Sequence, residues 1–306
     1  MSIMIHRRRF LRRSLGGAAV SAAVLVRSSA AFAQGKVVRN AGARMKLGLN
    51  AFSFDRPLRD GSMTLEDVVV FCAQHGIDAL DATGYYFPGY PKVPSDEYIY
   101  NLKRKAFVNG IVICGTGVRN DFAVPDAARR KSDVQLVKDW IEVAVKLGAP
   151  VIRVFSGARA PGGPSFDQVL EWMVPDFQEC AAYGKRHGVI VGLQNHNDFL
   201  KTAAETIRVV NAVNSEWFGV ILDVGSLRQA DPYEEIEKLL PYAVSWQLKE
   251  NVGVGGKEVP TDLRRVKAII DKGGYRGFLP IETLGQGDPR AKVATFVEQV
   301  RAVFAL

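Results

Sequence analysis

Short runs of β-branched and apolar residues alternate with longer amphipathic segments in this chain, and the pair recurs eight times between residues 45 and 304. Each short run reads as a strand buried on both faces, which is typical of parallel sheets covered by helices. Glycine follows several of the longer segments, as at Gly76, Gly148 and Gly188, where it is expected to end a helix. Eight such β-then-α units in a span of this length predict a single (β/α)8 TIM barrel of the α/β class.

The alternative to one barrel is an open, doubly wound sheet. That architecture usually has fewer units and a glycine-rich nucleotide-binding turn after its first strand, and no Gly-x-Gly-x-x-Gly is found there. We therefore assign residues 45–306 to the barrel and residues 34–44 to a connector. The predicted strands are residues 45–54, 78–83, 110–118, 150–156, 189–198, 218–224, 243–249 and 278–283.

Residues 1–33 read as an export signal rather than as part of the fold. Arg-Arg-Arg-Phe-Leu-Arg at residues 7–12 has the paired arginines, Phe-Leu and following base of a twin-arginine signal, and Ala-Phe-Ala at residues 31–33 is a cleavage pattern. The apolar stretch between them is too short to remain as a membrane anchor. A basic disordered tail is the alternative. We expect a periplasmic or extracytoplasmic protein without membrane association after signal removal.

The excess of positive charge belongs mostly to this signal. The chain has 40 Lys and Arg residues against 32 Asp and Glu, and six of the arginines but none of the acids lie in residues 1–33. The nearly neutral remainder offers no electrostatic reason to bind nucleic acid. Cys72, Cys114 and Cys180 lie in apolar patterns without paired spacing, so we expect buried thiols rather than a disulfide framework or a zinc site.

Polar side chains stand near the carboxyl ends of several predicted strands. Those ends meet at one face of a barrel, where active sites form, and a charge inside a buried strand is costly unless it is paired or bound to a metal. Taken singly, Asp223 could cap a helix, and Glu282 could pair with Arg153 or Lys249. Taken together, they predict a shared ligand site formed by Asn50, Arg153, Gln194, His196, Asp223, Gln247, Lys249 and Glu282.

Two loops after predicted strands add candidate lid residues. Residues 84–94 are rich in aromatic side chains and proline, and aromatic faces stack on sugar rings, so Tyr85, Tyr86, Phe87 and Tyr90 are candidates. A rigid loop packed on the barrel rim is the alternative. Residues 253–256, followed by Lys257, are rich in glycine. A phosphate contact is one interpretation, but we favour a flexible lid.

Four strand-end motifs resemble those of the xylose isomerase-like TIM barrels, the sugar phosphate isomerase/epimerase superfamily. They are Gly-Leu-Gln-Asn-His (192–196), Ile-Leu-Asp-Val-Gly (221–225), Gln-Leu-Lys-Glu (247–250) and Tyr-Arg-Gly-Phe-Leu-Pro-Ile-Glu (275–282). The resemblance implies a divalent metal held by Glu, Asp, His and Glu on strands five to eight. Asp223 and Glu282 match this pattern, whereas Gln194 replaces the first Glu and Gln247 replaces the His. Ser226 stands where many members carry a substrate-binding His.

The resemblance thus implies Mn²⁺ or Mg²⁺ bound by Gln194, Asp223, Gln247 and Glu282, more weakly than usual because two ligands are neutral amides. His196 is an alternative ligand. A glutamine cannot accept a proton, so Glu282 is expected to act as the base with His196, Lys249 or water as its partner. The residues expected to bind substrate are Asn50, Arg153, Ser226, Tyr85 and Tyr86.

The leading hypothesis is an exported sugar isomerase/epimerase-like enzyme that acts on an unphosphorylated carbohydrate or keto-sugar by metal-assisted proton transfer. A one-base isomerase or a keto-sugar lyase fits the remaining groups better than a two-base epimerase. A non-catalytic sugar-binding barrel that has lost its metal is a further alternative. A DNA-repair endonuclease would need more His and carboxylate ligands than this chain offers. The sequence leaves the sugar undefined and is compatible with a homo-oligomer.

Overall fold

A computed structural model describes residues 35–159, 163–196 and 199–306, so the predicted export signal lies outside the described residues. Eight parallel strands form a closed barrel, which confirms the predicted fold class. Its strands are Arg44–Asn50 (β1), Ala79–Thr83 (β2), Val112–Gly117 (β3), Val151–Val154 (β4), Ile190–Gln194 (β5), Phe218–Asp223 (β6), Ala243–Lys249 (β7) and Arg276–Glu282 (β10).

In the described part of the chain, nine α-helices join or flank these strands, and their ends follow local sequence signals. Thr64 caps the second helix through a reciprocal bond with Asp67, while Gly148 and Gly188 end two others in the left-handed conformation. The helices described are Asp55–Arg59 (α1), Leu65–Gln74 (α2), Asp96–Val108 (α3), Ala127–Leu147 (α4), Phe166–His187 (α5), Ala203–Val213 (α6), Pro232–Leu239 (α7), Leu263–Gly273 (α8) and Pro289–Phe304 (α9).

The barrel closes between its first and last strands. β1 pairs with β10 in a parallel register that runs from Arg44 opposite Arg276 to Leu49 opposite Ile281. β10 also pairs with β7, where Glu282 lies opposite Lys249. The connector contacts the same body, because the Val37 backbone N–H donates to the carbonyl of Pro241 over 2.8 Å.

The segment predicted as a flexible glycine loop is an antiparallel hairpin. Asn251–Val254 (β8) pairs with Lys257–Pro260 (β9) between β7 and α8, and Gly255 and Gly256 form its turn with positive φ angles of 57° and 79°. The prediction missed the hairpin because two glycines suit a tight β-turn as well as a loop.

The first predicted strand is shorter than its sequence suggests, ending at Asn50 rather than at residue 54. The Asn50 side chain accepts a hydrogen bond from the backbone N–H of Phe52, and Ala51–Phe54 forms a 3-10 turn. The strand therefore stops at a polar side chain at the mouth of the barrel. All three cysteines are buried free thiols, as expected. Within the described part of the chain, no helix is both long and apolar enough to cross a membrane.

Candidate active site

A cavity of 130 Å³ lies at the carboxyl ends of the barrel strands. Five candidate residues are each the last residue of a barrel strand: Asn50, Gln194, Asp223, Lys249 and Glu282. This common position brings the polar strand ends together. We call this space the central cavity, and it is lined by Asn50, Phe52, Thr83, Tyr85, Arg119, Arg153, Phe155, Gln194, His196, Gln247, Lys249, Glu282 and Leu284.

A buried ammonium group joins two carboxylates at this site. Lys249 Nζ lies 2.9 Å from Asp223 Oδ2 and 3.5 Å from Glu282 Oε1. The three side chains are 12%, 0% and 5% exposed, respectively. Because β7 runs between β6 and β10, the lysine at its end reaches the acids on both sides. The sequence left a pairing of Glu282 with Lys249 open, and the structure adds Asp223 to it.

The two carboxyl groups respond differently to this environment. Burial opposes ionisation of Asp223, but Lys249 and the Ser226 hydroxyl outweigh it and hold the pKa of Asp223 below its usual value. Burial raises the pKa of Glu282, and Lys249 opposes that change only in part. Burial alone would lower the pKa of Lys249, but the two acids outweigh it and raise that pKa. The site therefore contains a fixed ammonium–carboxylate pair and a second carboxyl group that accepts protons more readily.

Gln194 links the remaining predicted ligands. Its amide nitrogen donates to Asp223 Oδ2 and to Gln247 Oε1, each over 2.7 Å. Asp223 Oδ2 also accepts from the Ser226 hydroxyl and from Lys249. The structure thus gathers all four residues predicted to hold a metal, with an amide nitrogen rather than an oxygen directed at Asp223.

This donor set does not fit a divalent cation held by these four side chains. Mg²⁺ and Mn²⁺ need free oxygen ligands, whereas Asp223 Oδ2 already accepts from three donors and Gln247 Oε1 accepts from Gln194. Among the described residues, no group of three or more His, Cys, Asp or Glu side chains is arranged to hold a metal.

Asn195 fixes the position of Asp223 from the other side of the sheet. Its amide nitrogen donates to the backbone carbonyl of Asp223 over 2.9 Å, and its oxygen accepts from the Asp223 backbone N–H over 2.8 Å. This pair of bonds clamps the end of β5 to the end of β6. The alternation of side chains along a strand places Asn195 on the face opposite Gln194, but it gives no sign of the clamp.

Arg153 and Asn50 line the central cavity and are held by neighbouring groups. Arg153 Nη2 donates to the Tyr85 hydroxyl over 2.6 Å, and its guanidinium carbon lies 4.3 Å from the centre of the Phe155 ring. Asn50 donates to Asp81 Oδ2 and accepts from the Thr83 hydroxyl, each over 3.2 Å. The His196 ring stands edge-on to Phe155 at 5.1 Å. These contacts hold the Arg153 guanidinium, the Asn50 amide and the His196 imidazole at the wall of the central cavity, which Lys249 also lines.

Two predicted substrate-binding residues do not line the central cavity. Tyr86 is turned away because Gly84–Tyr86 forms a 3-10 turn, and its hydroxyl donates to Asp55 over 2.6 Å. Ser226 contacts Asp223 instead and lines a second cavity of 490 Å³ beside the hairpin. Phe87 is buried, and the Tyr90 hydroxyl accepts from the backbone N–H of Arg119. Of the four aromatic candidates, Tyr85 alone lines the central cavity, and the others fit the alternative of a packed rim.

The sequence interpretation missed Asp81, a buried carboxyl group on β2 next to Asn50. Burial raises its pKa to about 7, with Glu282 adding to the rise and Arg153 and Asn50 opposing it. The same signal that identified Asp223, a charge in an apolar strand, was present in Ala-Leu-Asp-Ala-Thr at residues 79–83. Asp81 precedes Thr83 by two residues and so lies on the same face of β2. It supports the cavity wall by accepting a hydrogen bond from Asn50.

Replacing Asp81 with asparagine is expected to alter how stability depends on pH. The folded protein binds the Asp81 proton more tightly than the unfolded chain does, so this carboxyl group contributes stability below about pH 4 that is lost as the pH rises through about 7. The unfolding free energy of the parent, measured relative to that of Asp81→Asn, should therefore fall by about 4 kcal/mol between pH 4 and pH 8. Denaturant unfolding across this range measures it.

The matched control is Asp167→Asn on α5, whose carboxylate is 76% exposed. Its unfolding free energy should follow that of the parent at every pH. Parallel curves for the parent and Asp81→Asn would contradict the raised pKa of Asp81.

A closed parallel barrel with polar groups at the carboxyl ends of its strands defines the class of TIM barrels. The sequence of residues 69–301 matches the family described as xylose isomerase-like TIM barrel. The chain therefore belongs to that family, and the predicted resemblance is confirmed. No curated protein matches this chain in sequence.

Solved structures of the sugar phosphate isomerase/epimerase superfamily share the fold. D-Psicose 3-epimerase from Clostridium cellulolyticum H10, determined with D-tagatose, is 18% identical with a TM-score of 0.71, over 85% of this chain and 99% of that one. The 3-keto-D-glucoside 4-epimerase of E. coli is 14% identical with a TM-score of 0.69, over 85% and 100%. The IolI protein with a bound zinc atom is 16% identical with a TM-score of 0.68, over 86% and 100%. At these identities, the likeness is one of fold.

Proposed function

We propose that this chain is a sugar isomerase/epimerase-like enzyme that acts on an unphosphorylated carbohydrate or keto-sugar by proton transfer. The observation that carries the proposal is the position of Glu282, a carboxyl group with a raised pKa beside a buried ammonium in a cavity rich in hydrogen-bonding groups. The relatives with sugar ligands and sugar substrates support the substrate class.

The proposed chemistry uses the unequal charges around Glu282. Its carboxylate takes a proton from the carbon next to a sugar carbonyl, and the Lys249 ammonium stabilises the negative charge that develops on the carbonyl oxygen. Arg153 and Asn50 orient hydroxyl groups. After its proton exchanges with solvent, Glu282 can donate a proton to the former carbonyl carbon, while the hydroxyl proton of the neighbouring carbon passes to the former carbonyl oxygen. These transfers complete a one-base isomerisation. No step uses Mn²⁺ or Mg²⁺, because Gln194 directs its amide nitrogen at Asp223, and Asp223 Oδ2 and Gln247 Oε1 already accept hydrogen bonds.

A keto-sugar lyase is the second candidate, because elimination also needs one base. The chain is similar in fold to a probable 3-DHS dehydratase from Bacillus anthracis, at 16% identity and a TM-score of 0.63. A sugar-binding barrel without catalysis is the third candidate. The observation in its favour is Gln194, whose amide is engaged with Asp223 and Gln247 and cannot exchange protons.

Deuterium exchange followed by NMR distinguishes these candidates. The mature protein is incubated with a panel of keto-sugars and aldoses in deuterated water, with and without added Mn²⁺. Isomerisation should give deuterium at a carbon next to the carbonyl together with a second sugar. Elimination should give an unsaturated product. Saturable binding without exchange would support the binding protein. The absence of both binding and exchange across the panel would contradict the proposal.

We further propose that residues 1–33 export the folded barrel by the twin-arginine route. The support is the motif at residues 7–12 and the cleavage pattern at residues 31–33. Fractionation of cells that express the full chain should find the shortened protein outside the cytoplasm, and Arg7→Lys with Arg8→Lys should retain it inside. If the parent and the double variant were distributed equally between the cytoplasm and the space outside it, this route would be excluded.

A further inference from the structure

We propose that the ammonium group of Lys249 takes the position of the divalent cation in this barrel, so that the site functions without a bound metal. The inference deepens the proposed function, since it names the cation that would stabilise a sugar oxyanion. It can nevertheless be tested by metal binding alone, apart from any sugar chemistry.

The first argument is the saturation of the carboxylate that a metal would need. Three donors converge on Asp223 Oδ2: the Gln194 amide at 2.7 Å, the Ser226 hydroxyl at 2.7 Å and the Lys249 ammonium at 2.9 Å. The other oxygen, Oδ1, accepts from the Gly225 backbone N–H over 3.0 Å. A metal at Asp223 Oδ2 would have to displace one of these three buried donors and leave it without its acceptor, which is unfavourable in a buried site.

The second argument is charge. Two carboxylates and one ammonium carry a net charge of minus one, and the amides of Gln194 and Gln247 add nothing. Three carboxylates around a divalent cation would carry the same net charge. The loss of one carboxylate at residue 194 therefore matches the exchange of a divalent for a monovalent cation. Adding a divalent metal to the present set would make the buried site positive, which is unfavourable in a poorly solvated interior.

The third argument is the space made for the lysine stem. A Cβ atom added at Gly225 would lie 2.5 Å from Lys249 Cδ and 3.0 Å from the carbonyl oxygen of Asn251. The stem therefore passes against a backbone position that only glycine leaves free. Lys249 is thus packed along its length as well as paired at its tip, so its position does not depend on the ion pair alone.

The first experiment measures metal in the mature protein as purified. We expect less than one tenth of an equivalent of Mn, Mg, Zn, Fe or Co per chain by elemental analysis, and no change in melting temperature with EDTA or with added Mn²⁺, Mg²⁺ or Zn²⁺. One equivalent of metal that is lost in Asp223→Asn would overturn the inference, as would destabilisation of the parent by EDTA.

The second experiment restores a metal site and asks whether Lys249 prevents binding. The triple variant Gln194→Glu, Gln247→His, Lys249→Ala has three carboxylates, an imidazole and no ammonium, and it should bind one Mn²⁺ with a rise in melting temperature. The matched double variant keeps Lys249 and should bind Mn²⁺ at least about 100-fold more weakly, because the ammonium remains in the cation's position. Equal Mn²⁺ affinity in the two variants would refute the role of Lys249.

The outcomes also separate this inference from the proposed function. A metal-free parent without any action on sugars would refute the function and keep the inference. A parent that requires Mn²⁺ to exchange deuterium into a sugar would support the function and refute the inference. If the triple variant fails to fold, the metal content and EDTA response of the parent still decide.

Discussion

Replacing Lys249 with methionine is expected to lower the free energy of unfolding by about 3–5 kcal/mol, because it leaves Asp223 as a buried charge without its cation. Methionine retains an unbranched stem, so the change removes the ammonium rather than the packing against Gly225. Denaturant unfolding at neutral pH, followed by circular dichroism, measures the loss.

Two comparisons make this result specific to the buried pair. Lys272→Met removes a lysine that pairs with Glu237 at the surface, where the side chains are 76% and 47% exposed, and it should change stability by less than about 1 kcal/mol. Adding Asp223→Asn to Lys249→Met removes the orphaned charge and should recover about 2 kcal/mol of the loss. A loss of under 1 kcal/mol in Lys249→Met would mean that the ion pair is solvated rather than buried.

Replacing Glu282 with glutamine is expected to slow deuterium exchange into the sugar by about 10²- to 10⁴-fold, since the amide has nearly the same shape but cannot accept a proton. Ligand affinity should change by only a few fold, because Arg153, Asn50 and Lys249 remain in the cavity. NMR exchange rates and calorimetric binding on the same preparation separate the two effects.

The control for this substitution is Glu298→Gln on α9, which makes the same chemical change at a side chain that is 74% exposed. Its exchange rate should equal that of the parent. If Glu282→Gln exchanges at the parental rate, Glu282 is not the base, and His196 is the next group to replace.

The architecture could be predicted from the sequence because it follows from a repeated pattern. Eight strand-like runs, each followed by an amphipathic segment, leave few topologies other than a barrel, and the structure closes as one. The location of the site could also be anticipated, since Gln194, Asp223 and Glu282 each end a strand and parallel strands end at the same face. Both inferences depend on the period of strands, which the sequence displays directly.

The partners of each polar group could not be predicted in the same way. Whether Lys249 points to Asp223 or to solvent depends on the rotamers of a long side chain, and its close approach to Gly225 exists only in three dimensions. Tyr85 and Tyr86 are neighbours in sequence, yet a 3-10 turn sends one into the cavity and the other to Asp55. Asp81 was detectable as a charge in an apolar strand, but it ends no strand and so carried no positional signal.

The pairing of β1 with β10 has a consequence for how the protein is made. Because the first strand of the barrel finds its partner in the last one, the ring cannot close until the ribosome has released a segment more than 200 residues downstream. Contacts this distant in sequence form late in folding and slow it. Glu282 is the final residue of that closing strand. The nascent chain therefore has no complete cavity until this closing strand has left the ribosome and paired with β1.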